Sequence, residues 1–243
     1  MLLPLRMAVL GYLYCRTDAP YRHPSELKGK RIGSPAFRYT VNLWLRGMLA
    51  EHYDLAPQDM SWVTNEAEIN GYQIPSNIDV SVVPGTGPGQ LLIDGEIDAI
   101  ITYRHPQVFT DCHPHIGRLF QDFRTAEQAY YKKTGIFPIM HVVGIRDDLL
   151  AEHPWIAANV MNAFEEAKKR AMEHLTDLDA LAVTLPWLVA EAEDTKALMG
   201  EDFWPYGTAK NLAAIAAQTR WSVEQGISPR QLDLEDIFVP STL

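Results

Sequence analysis

Val80-Ser81-Val82-Val83-Pro84-Gly85-Thr86-Gly87-Pro88-Gly89-Gln90-Leu91-Leu92-Ile93-Asp94-Gly95-Glu96-Ile97-Asp98-Ala99-Ile100-Ile101-Thr102-Tyr103 reads as a strand, a glycine-rich turn, a short helix and a second strand. Two apolar, β-branched runs, Val80–Pro84 and Ala99–Tyr103, flank the helix 90–94 and are bounded by Gly, Pro and Asp. Strand, helix and strand in alternation predict a mostly parallel sheet with helices on its faces, an α/β fold. The turn Gly85–Gly89 has no Gly-Lys-Ser/Thr after it, so it is read as a flexible turn and not as a phosphate loop.

Upstream, residues 7–16 read as a strand, and 17–30 as a polar loop with a helical turn around Ser25-Glu26-Leu27. Arg31–Pro35 is a short strand running into a turn. Residues 39–53 place Val41, Leu43, Trp44, Leu45, Met48 and Leu49 near helical spacing. A strand at 60–64 and an exposed excursion at 65–75 follow. Downstream, 116–120 reads as a strand and 125–133 as a helix. An apolar run after the Gly135-to-Pro138 turn carries His141 at the mouth of a buried strand. Residues 155–175 form an amphipathic helix with Ile156, Val160, Phe164 and Ala167 on one face. One or two helices around Pro186 cover 178–199, and a last long helix covers 209–225. There is no internal repeat and no low-complexity segment.

A chain of 243 residues with 47% hydrophobic content can bury a sizeable core in one large domain or two small lobes. Its formal net charge of -10 argues against non-specific binding to nucleic acid or anionic membranes, which need cationic patches. A small anionic ligand responds to its local pocket and is not excluded by that balance. Two cysteines, Cys15 and Cys112, are too few for a disulfide framework and fit a reducing compartment. Residues 1–10 make a poor signal peptide, broken by Pro4 and Arg6, and no apolar run approaches the roughly 20 residues a membrane helix needs. A soluble, cytoplasmic protein is expected.

In a parallel-rich sheet, ligands bind outside the carboxyl ends of the strands. Tyr103, Arg104 and His105 occupy one such end, where a guanidinium suits bidentate capture of a carboxylate. The turn Ser34-Pro35-Ala36-Phe37-Arg38-Tyr39-Thr40 occupies another. Its hydroxyls and free backbone N–H groups at a helix N-terminus would cradle a carboxylate, unless Thr40 or Ser34 simply caps the helix. His141 is a candidate for proton transfer at neutral pH, against the plainer reading of an ordinary strand histidine. Cys112-His113-Pro114-His115 matches no standard zinc spacing and has no second ligand pair, so an ordinary loop and no metal are expected.

Leu27-Lys28-Gly29-Lys30-Arg31-Ile32-Gly33, Gly95-Glu96-Ile97-Asp98-Ala99 and Arg146-Asp147-Asp148-Leu149 before a Pro-initiated helix are similar to type 2 periplasmic binding proteins. Further motifs narrow this: Arg118-Leu119-Phe120, Ala126–Tyr131, Thr134–His141, Ala163–Lys168, Leu185-Pro186-Trp187-Leu188 and Asp202-Phe203-Trp204-Pro205-Tyr206-Gly207. In that order they resemble the 4,5-dihydroxyphthalate decarboxylase family, from about residue 9 to the end. Members of that family usually carry an additional N-terminal segment that builds the first half of lobe one. The resemblance therefore implies a remnant of lobe one with its crossover strand at 1–16, an α/β lobe two at 17–137, and a return strand with C-terminal helices of lobe one at 138–243.

The resemblance implies loss of one carboxylate from 4,5-dihydroxyphthalate to leave protocatechuate. Direct loss of CO2 would leave a carbanion in the ring plane, beyond reach of the π-system. Protonating the carboxyl-bearing carbon while the para hydroxyl loses its proton gives a dienone that can expel CO2. That route needs an acid at the ring carbon, an acceptor at the phenol and a cation on the retained carboxylate. The expected catalytic residues are His141 as acid or base, with Glu127 or Tyr130 accepting or relaying the catechol proton. Arg104, helped by Ser34 and Thr40, is expected to anchor the carboxylate, with Arg38, Tyr39, Arg46, Tyr103 and His105 as further substrate-binding candidates. No cofactor is expected if the para hydroxyl is the electron sink. Two other readings stand beside this one: a solute-binding protein that holds a small aromatic or heterocyclic carboxylate without changing it, and an inactive interaction protein that forms a homo-oligomer through an exposed apolar surface.

Overall fold

The computed structural model describes residues 4–69, 72–175, 177, 179 and 183–242. In chain order its strands and helices begin with β1 (Leu5–Arg6), β2 (Leu13–Arg16), β3 (Arg31–Ser34), α1 (Thr40–Tyr53), β4 (Ser61–Thr64) and β5 (Asp79–Val82). Then come α2 (Pro88–Ile93), β6 (Ala99–Ile101), α3 (Gln107–Thr110), β7 (Ile116–Arg118), α4 (Phe123–Thr134) and β8 (Ile139–His141). The chain finishes with α5 (Asp147–Glu152), α6 (Ile156–His174), α7 (Leu188–Met199), α8 (Leu212–Glu224) and α9 (Leu234–Ile237). It divides into two compact units, one of residues 1–6, 139–215 and 232–243, the other of 7–138 and 216–231.

The unit of residues 7–138 and 216–231 is built on a six-stranded sheet of order β5-β4-β3-β6-β2-β7. β3 pairs in parallel with β4 and β6, and β4 in parallel with β5, whereas β2 pairs antiparallel with β6 and β7. The α/β reading with a parallel-rich sheet is borne out. α1 and α2 make the crossovers β3-to-β4 and β5-to-β6, as the alternation in the sequence required. All residues from Val41 to Leu49 are buried, so α1 is a core helix until its last turn, where Glu51 reaches solvent. Gly47 is needed there: a Cβ on it would lie 2.2 Å from the Trp221 ring of α8, which also packs edge-on to Trp44 at 5.3 Å.

The strand expected over 7–16 begins only at Leu13, because Leu10–Tyr12 winds into a 3-10 turn. Gly11 lies under the Phe123 ring, where a Cβ would come within 2.9 Å. The N–H of Leu10 donates to the Glu127 carboxylate at 2.5 Å, so a side chain replaces the sheet partner at this position. The expected helix at 125–133 starts two residues earlier, because the Asp122 carboxylate accepts the Thr125 N–H and caps α4.

The unit of residues 1–6, 139–215 and 232–243 carries a two-stranded antiparallel ribbon, β1 with β8, pairing Leu5 with His141 and Arg6 with Ile139. Its remaining elements are helical. Trp204 Nε1–H donates to the Pro4 carbonyl at 3.0 Å, and the buried Arg6 guanidinium bonds to Asn211 and to the Pro205 carbonyl. On α6, Ile156 and Val160 are half-buried and Phe164 and Ala167 are exposed, which corrects the apolar face expected from periodicity. The helix instead turns Lys168 inward, paired with Glu165 at 2.9 Å and Asp202 at 3.2 Å and lying over the Tyr206 ring at 4.5 Å. The expected helix over 178–199 falls partly outside the described residues, and the observed α7 starts after Pro186. No helix among the described residues is long and apolar enough to cross a membrane.

Candidate functional site

β3 and β6 lie side by side and parallel, so their carboxyl ends open on the same edge of the sheet. A cavity of about 360 Å³ sits there, lined by Pro35 after β3, Gly87–Gln90 at the start of α2, Ile100 and Thr102 of the β6 end, and Arg104–Val108 after it. That volume lies within the range of small-molecule pockets, about 300–1,000 Å³. Two expected substrate-binding residues, Arg104 and His105, line it, and Thr102 joins them. The sequence reading passed over Thr102, although its place at the end of an apolar strand marked it.

Arg104 is exposed, with its guanidinium 5.2 Å from the centre of the Tyr103 ring and no carboxylate paired to it among the described residues. A cation with no partner at the rim of a cavity can take an anionic ligand without breaking an existing ion pair. His105 is tied more firmly. Its Nδ1 lies 2.5 Å from the Tyr14 hydroxyl, and its ring stacks on Tyr12 at 5.2 Å with a 3° interplanar angle. Both tyrosines reach it because β2 runs antiparallel beside β6, and the N–H of Thr102 donates to the Tyr12 carbonyl at 3.3 Å.

The second predicted cluster lies at the same end of the sheet. Tyr103 and Tyr39 meet edge to face at 5.5 Å, which links the β6 end to the start of α1. Neither Ser34 nor Thr40 caps α1; Tyr39 stands at the N-cap without a side-chain bond. The hydroxyl of Ser34 is buried, donating to the Ala36 carbonyl at 3.3 Å and accepting from Asn42 Nδ2 at 2.6 Å. Among the described residues the backbone N–H groups of Thr40 and Val41 have no acceptor, as at any helix start. Arg38 pairs with Glu66 at 3.0 Å and Glu68 at 3.4 Å, and Tyr39 donates to Glu66 at 3.2 Å. Burial opposes the charge on Arg38, and the two carboxylates overcome it, so its pKa is raised. Both residues therefore hold the 65–69 excursion against α1.

Arg46, also expected near the substrate, is fully buried. It donates to Gln225 Oε1 at 2.6 Å and the Phe37 carbonyl at 2.8 Å, and its guanidinium lies 3.6 Å from the centre of the Phe37 ring. Burial pulls its pKa down to about 9. In this place it fastens residues 216–231 to α1 and does not line the cavity.

Glu127 and Tyr130 share the inward face of α4 and lie outside the cavity lining. Burial pushes the Glu127 carboxyl up to about 7, against the opposing pull of the backbone N–H groups of Leu10 and Val9. Tyr130 packs edge-on to His52 at 5.1 Å, its hydroxyl has no hydrogen-bond partner among the described residues, and burial raises its pKa to about 12. His141 is exposed at the end of β8, in the other unit. Among the described residues no group of three or more His, Cys, Asp or Glu side chains is placed to hold a metal ion.

No family model matches the chain. Among curated proteins it is 35% identical, over 243 aligned residues, to the 4,5-dihydroxyphthalate decarboxylase of Comamonas testosteroni, spanning 95% of this chain and 72% of that protein. It is 34% identical over 127 residues to the 4,5-dihydroxyphthalate decarboxylase of Pseudomonas putida, spanning 49% of each. Among solved structures, a periplasmic sulfonate-binding protein of Methylobacillus flagellatus superposes with a TM-score of 0.49 at 13% identity, covering 94% of this chain and 62% of that one. The periplasmic aliphatic sulphonate-binding protein of Escherichia coli gives a TM-score of 0.43 at 12% identity, covering 96% and 69%.

Proposed function

Because the chain belongs to the 4,5-dihydroxyphthalate decarboxylase family, we propose that it removes one carboxylate from a dihydroxylated aromatic dicarboxylate, 4,5-dihydroxyphthalate being the first substrate to try. The observation that carries this reading is the 35% identity along 95% of the chain. A cavity of small-molecule size with an unpaired cation at its rim supports it.

The reaction sets the roles. The hydroxyl para to the departing carboxylate gives its proton to solvent water. The ring carbon bearing that carboxylate takes up a proton, using a π pair, to give a dienone. The bond to the carboxylate then breaks, CO2 leaves, and the bonding pair restores the aromatic ring and returns charge to the para oxygen, which is reprotonated. One proton is consumed and one CO2 released per turnover. In this reading Arg104 anchors the retained carboxylate, with the Thr102 hydroxyl beside it. His141 is our candidate for the ring-proton donor on residue type alone, since an imidazole can exchange protons near neutral pH. Glu127 and Tyr130, expected from sequence to handle the catechol proton, are instead given the work of holding the turn at 9–12 and the underside of α1. In this reading the two units are the two lobes, with residues 7–16 and 216–231 in the unit of the six-stranded sheet and not in the lobe built from 1–16 and 138–243 that the sequence leads us to expect. Cys15 and Cys112, both free, fit the cytoplasm.

Purified protein incubated with 4,5-dihydroxyphthalate should release CO2 and 3,4-dihydroxybenzoate in equal amounts. Tight binding of the diacid with no turnover would replace the enzyme by a binding protein, and neither binding nor turnover would remove the substrate assignment altogether.

A further inference from the structure

The route through a dienone requires something at the para oxygen, because that atom receives the electron pair when CO2 departs. Three neighbours fix His105 at the cavity wall. Tyr12 stacks flat on its ring, Phe109 lies 5.7 Å away at a tilt, and the Tyr14 hydroxyl meets Nδ1 at 2.5 Å. Tyr14 is fully buried in β2, among Leu91, Leu92, Ile97, Ile100 and Ile116. Its hydroxyl makes no other hydrogen bond among the described residues; the neighbouring Arg118 guanidinium donates to the Gly11 carbonyl at 3.0 Å and covers the Phe109 and Phe123 rings at 4.8 Å.

These contacts decide where the hydrogens sit. A buried phenol hydrogen needs an acceptor, and the one in reach of the Tyr14 hydroxyl among the described residues is Nδ1 of His105, so the hydroxyl donates to that nitrogen. Burial raises the Tyr14 pKa to about 12, so the phenol keeps that hydrogen at neutral pH. A neutral imidazole with Nδ1 accepting must carry its hydrogen on Nε2. Among the described residues Nε2 has no protein partner. The cavity wall thus presents an N–H donor of fixed orientation.

We propose that His105 is a catalytic hydrogen-bond donor to the ring oxygen para to the departing carboxylate, acting through Nε2–H, with Tyr14 as the positioning residue that holds that tautomer. The proposal rests on the decarboxylase reading for the identity of the oxygen. A fixed neutral donor suits an atom that gains charge during the reaction, because its stabilisation grows as the electron pair arrives. Arg104, one residue away, suits the carboxylate that is charged throughout.

The test has two arms on the full chain. Histidine ¹⁵N spectra of the unliganded protein should show the hydrogen of His105 on Nε2, and Tyr14→Phe should release it to a mixture of tautomers. A hydrogen on Nδ1 in the unmodified protein overturns the lock. The second arm measures binding of 4,5-dihydroxyphthalate and of phthalate, which lacks the ring oxygens, by calorimetry. His105→Phe keeps a ring to stack on Tyr12 but has no N–H, and should weaken the dihydroxy ligand about fivefold while leaving phthalate unchanged. His105→Gln, which carries an amide N–H near the position of Nε2, should recover most of that loss. Equal weakening of both ligands, or no weakening, overturns the oxygen assignment. If the unmodified protein binds neither diacid, the decarboxylase reading and the oxygen assignment fall together, and the spectra still decide the tautomer.

Discussion

Replacing Glu127 by Gln should remove a pH dependence that the carboxyl builds into the fold. Burial raises its pKa from the ordinary 4.5 to about 7, although the N–H groups of Leu10 and Val9 pull the other way. The folded protein therefore binds this proton more tightly than the unfolded chain does. By linkage the contribution is fully present below about pH 4.5, and it is lost as pH rises through about 7, where the folded state must ionise a carboxyl that burial disfavours. At about 1.4 kcal/mol per pH unit, the gap between 4.5 and about 7 corresponds to ~3 kcal/mol, of which about 2 to 3 kcal/mol falls between about pH 5 and about pH 8. Glu127→Gln keeps a carbonyl oxygen for the Leu10 N–H and has nothing to titrate. Urea unfolding of both proteins at about pH 5 and about pH 8 measures the difference: the unmodified protein should lose about 2 to 3 kcal/mol more than the variant on going to the higher pH. Parallel losses in the two proteins would show that the carboxyl is solvated or ionised in the fold, and would refute the reasoning from burial.

Arg104→Ala should weaken binding of an aromatic dicarboxylate by about 1.5 to 3 kcal/mol, the worth of a charge-assisted pair, and an unchanged dissociation constant in calorimetry would remove Arg104 from the site. His141→Ala should abolish decarboxylation while leaving the binding of the diacid intact, and full turnover in that variant would pass the proton donor to another group. Gly47→Ala should lower the denaturation midpoint by an amount corresponding to about 1 to 3 kcal/mol, because the new methyl meets the Trp221 ring at 2.2 Å; a midpoint equal to that of the unmodified protein would mean that α1 and α8 part at little cost.

Local pattern carried the parts of this fold that depend on neighbours in the chain. The spacing of Val41, Trp44, Leu45 and Met48 placed α1 within one residue, and the alternation from Val80 to Tyr103 gave two strands and the helix between them. Family membership was legible as well, from short motifs at separate places in one order, and the identity to the curated relatives bears it out. Hidden were the features made by residues far apart in sequence. Nothing near Leu10 announces that its N–H is taken by Glu127, 117 positions away, and so the strand that local pattern predicts over 7–16 is too long. The antiparallel course of β2 was hidden too, because direction follows from the path of the connection and leaves no mark in a four-residue strand. That path brings Tyr12 and Tyr14 to His105 and turns a second-rank candidate into the most firmly held polar group of the cavity wall. Arg46 shows the reverse: an arginine on a helix reads as available for a ligand until Phe37, Trp62 and Gln225 are seen to enclose it.

The most direct measurement is turnover of 4,5-dihydroxyphthalate in D2O, followed by mass spectrometry of the ring product. Replacement of a carboxylate by a solvent-derived proton predicts 3,4-dihydroxybenzoate carrying one deuterium at the carbon that lost CO2. Recovery of the diacid unchanged after prolonged incubation with stoichiometric protein would contradict the account.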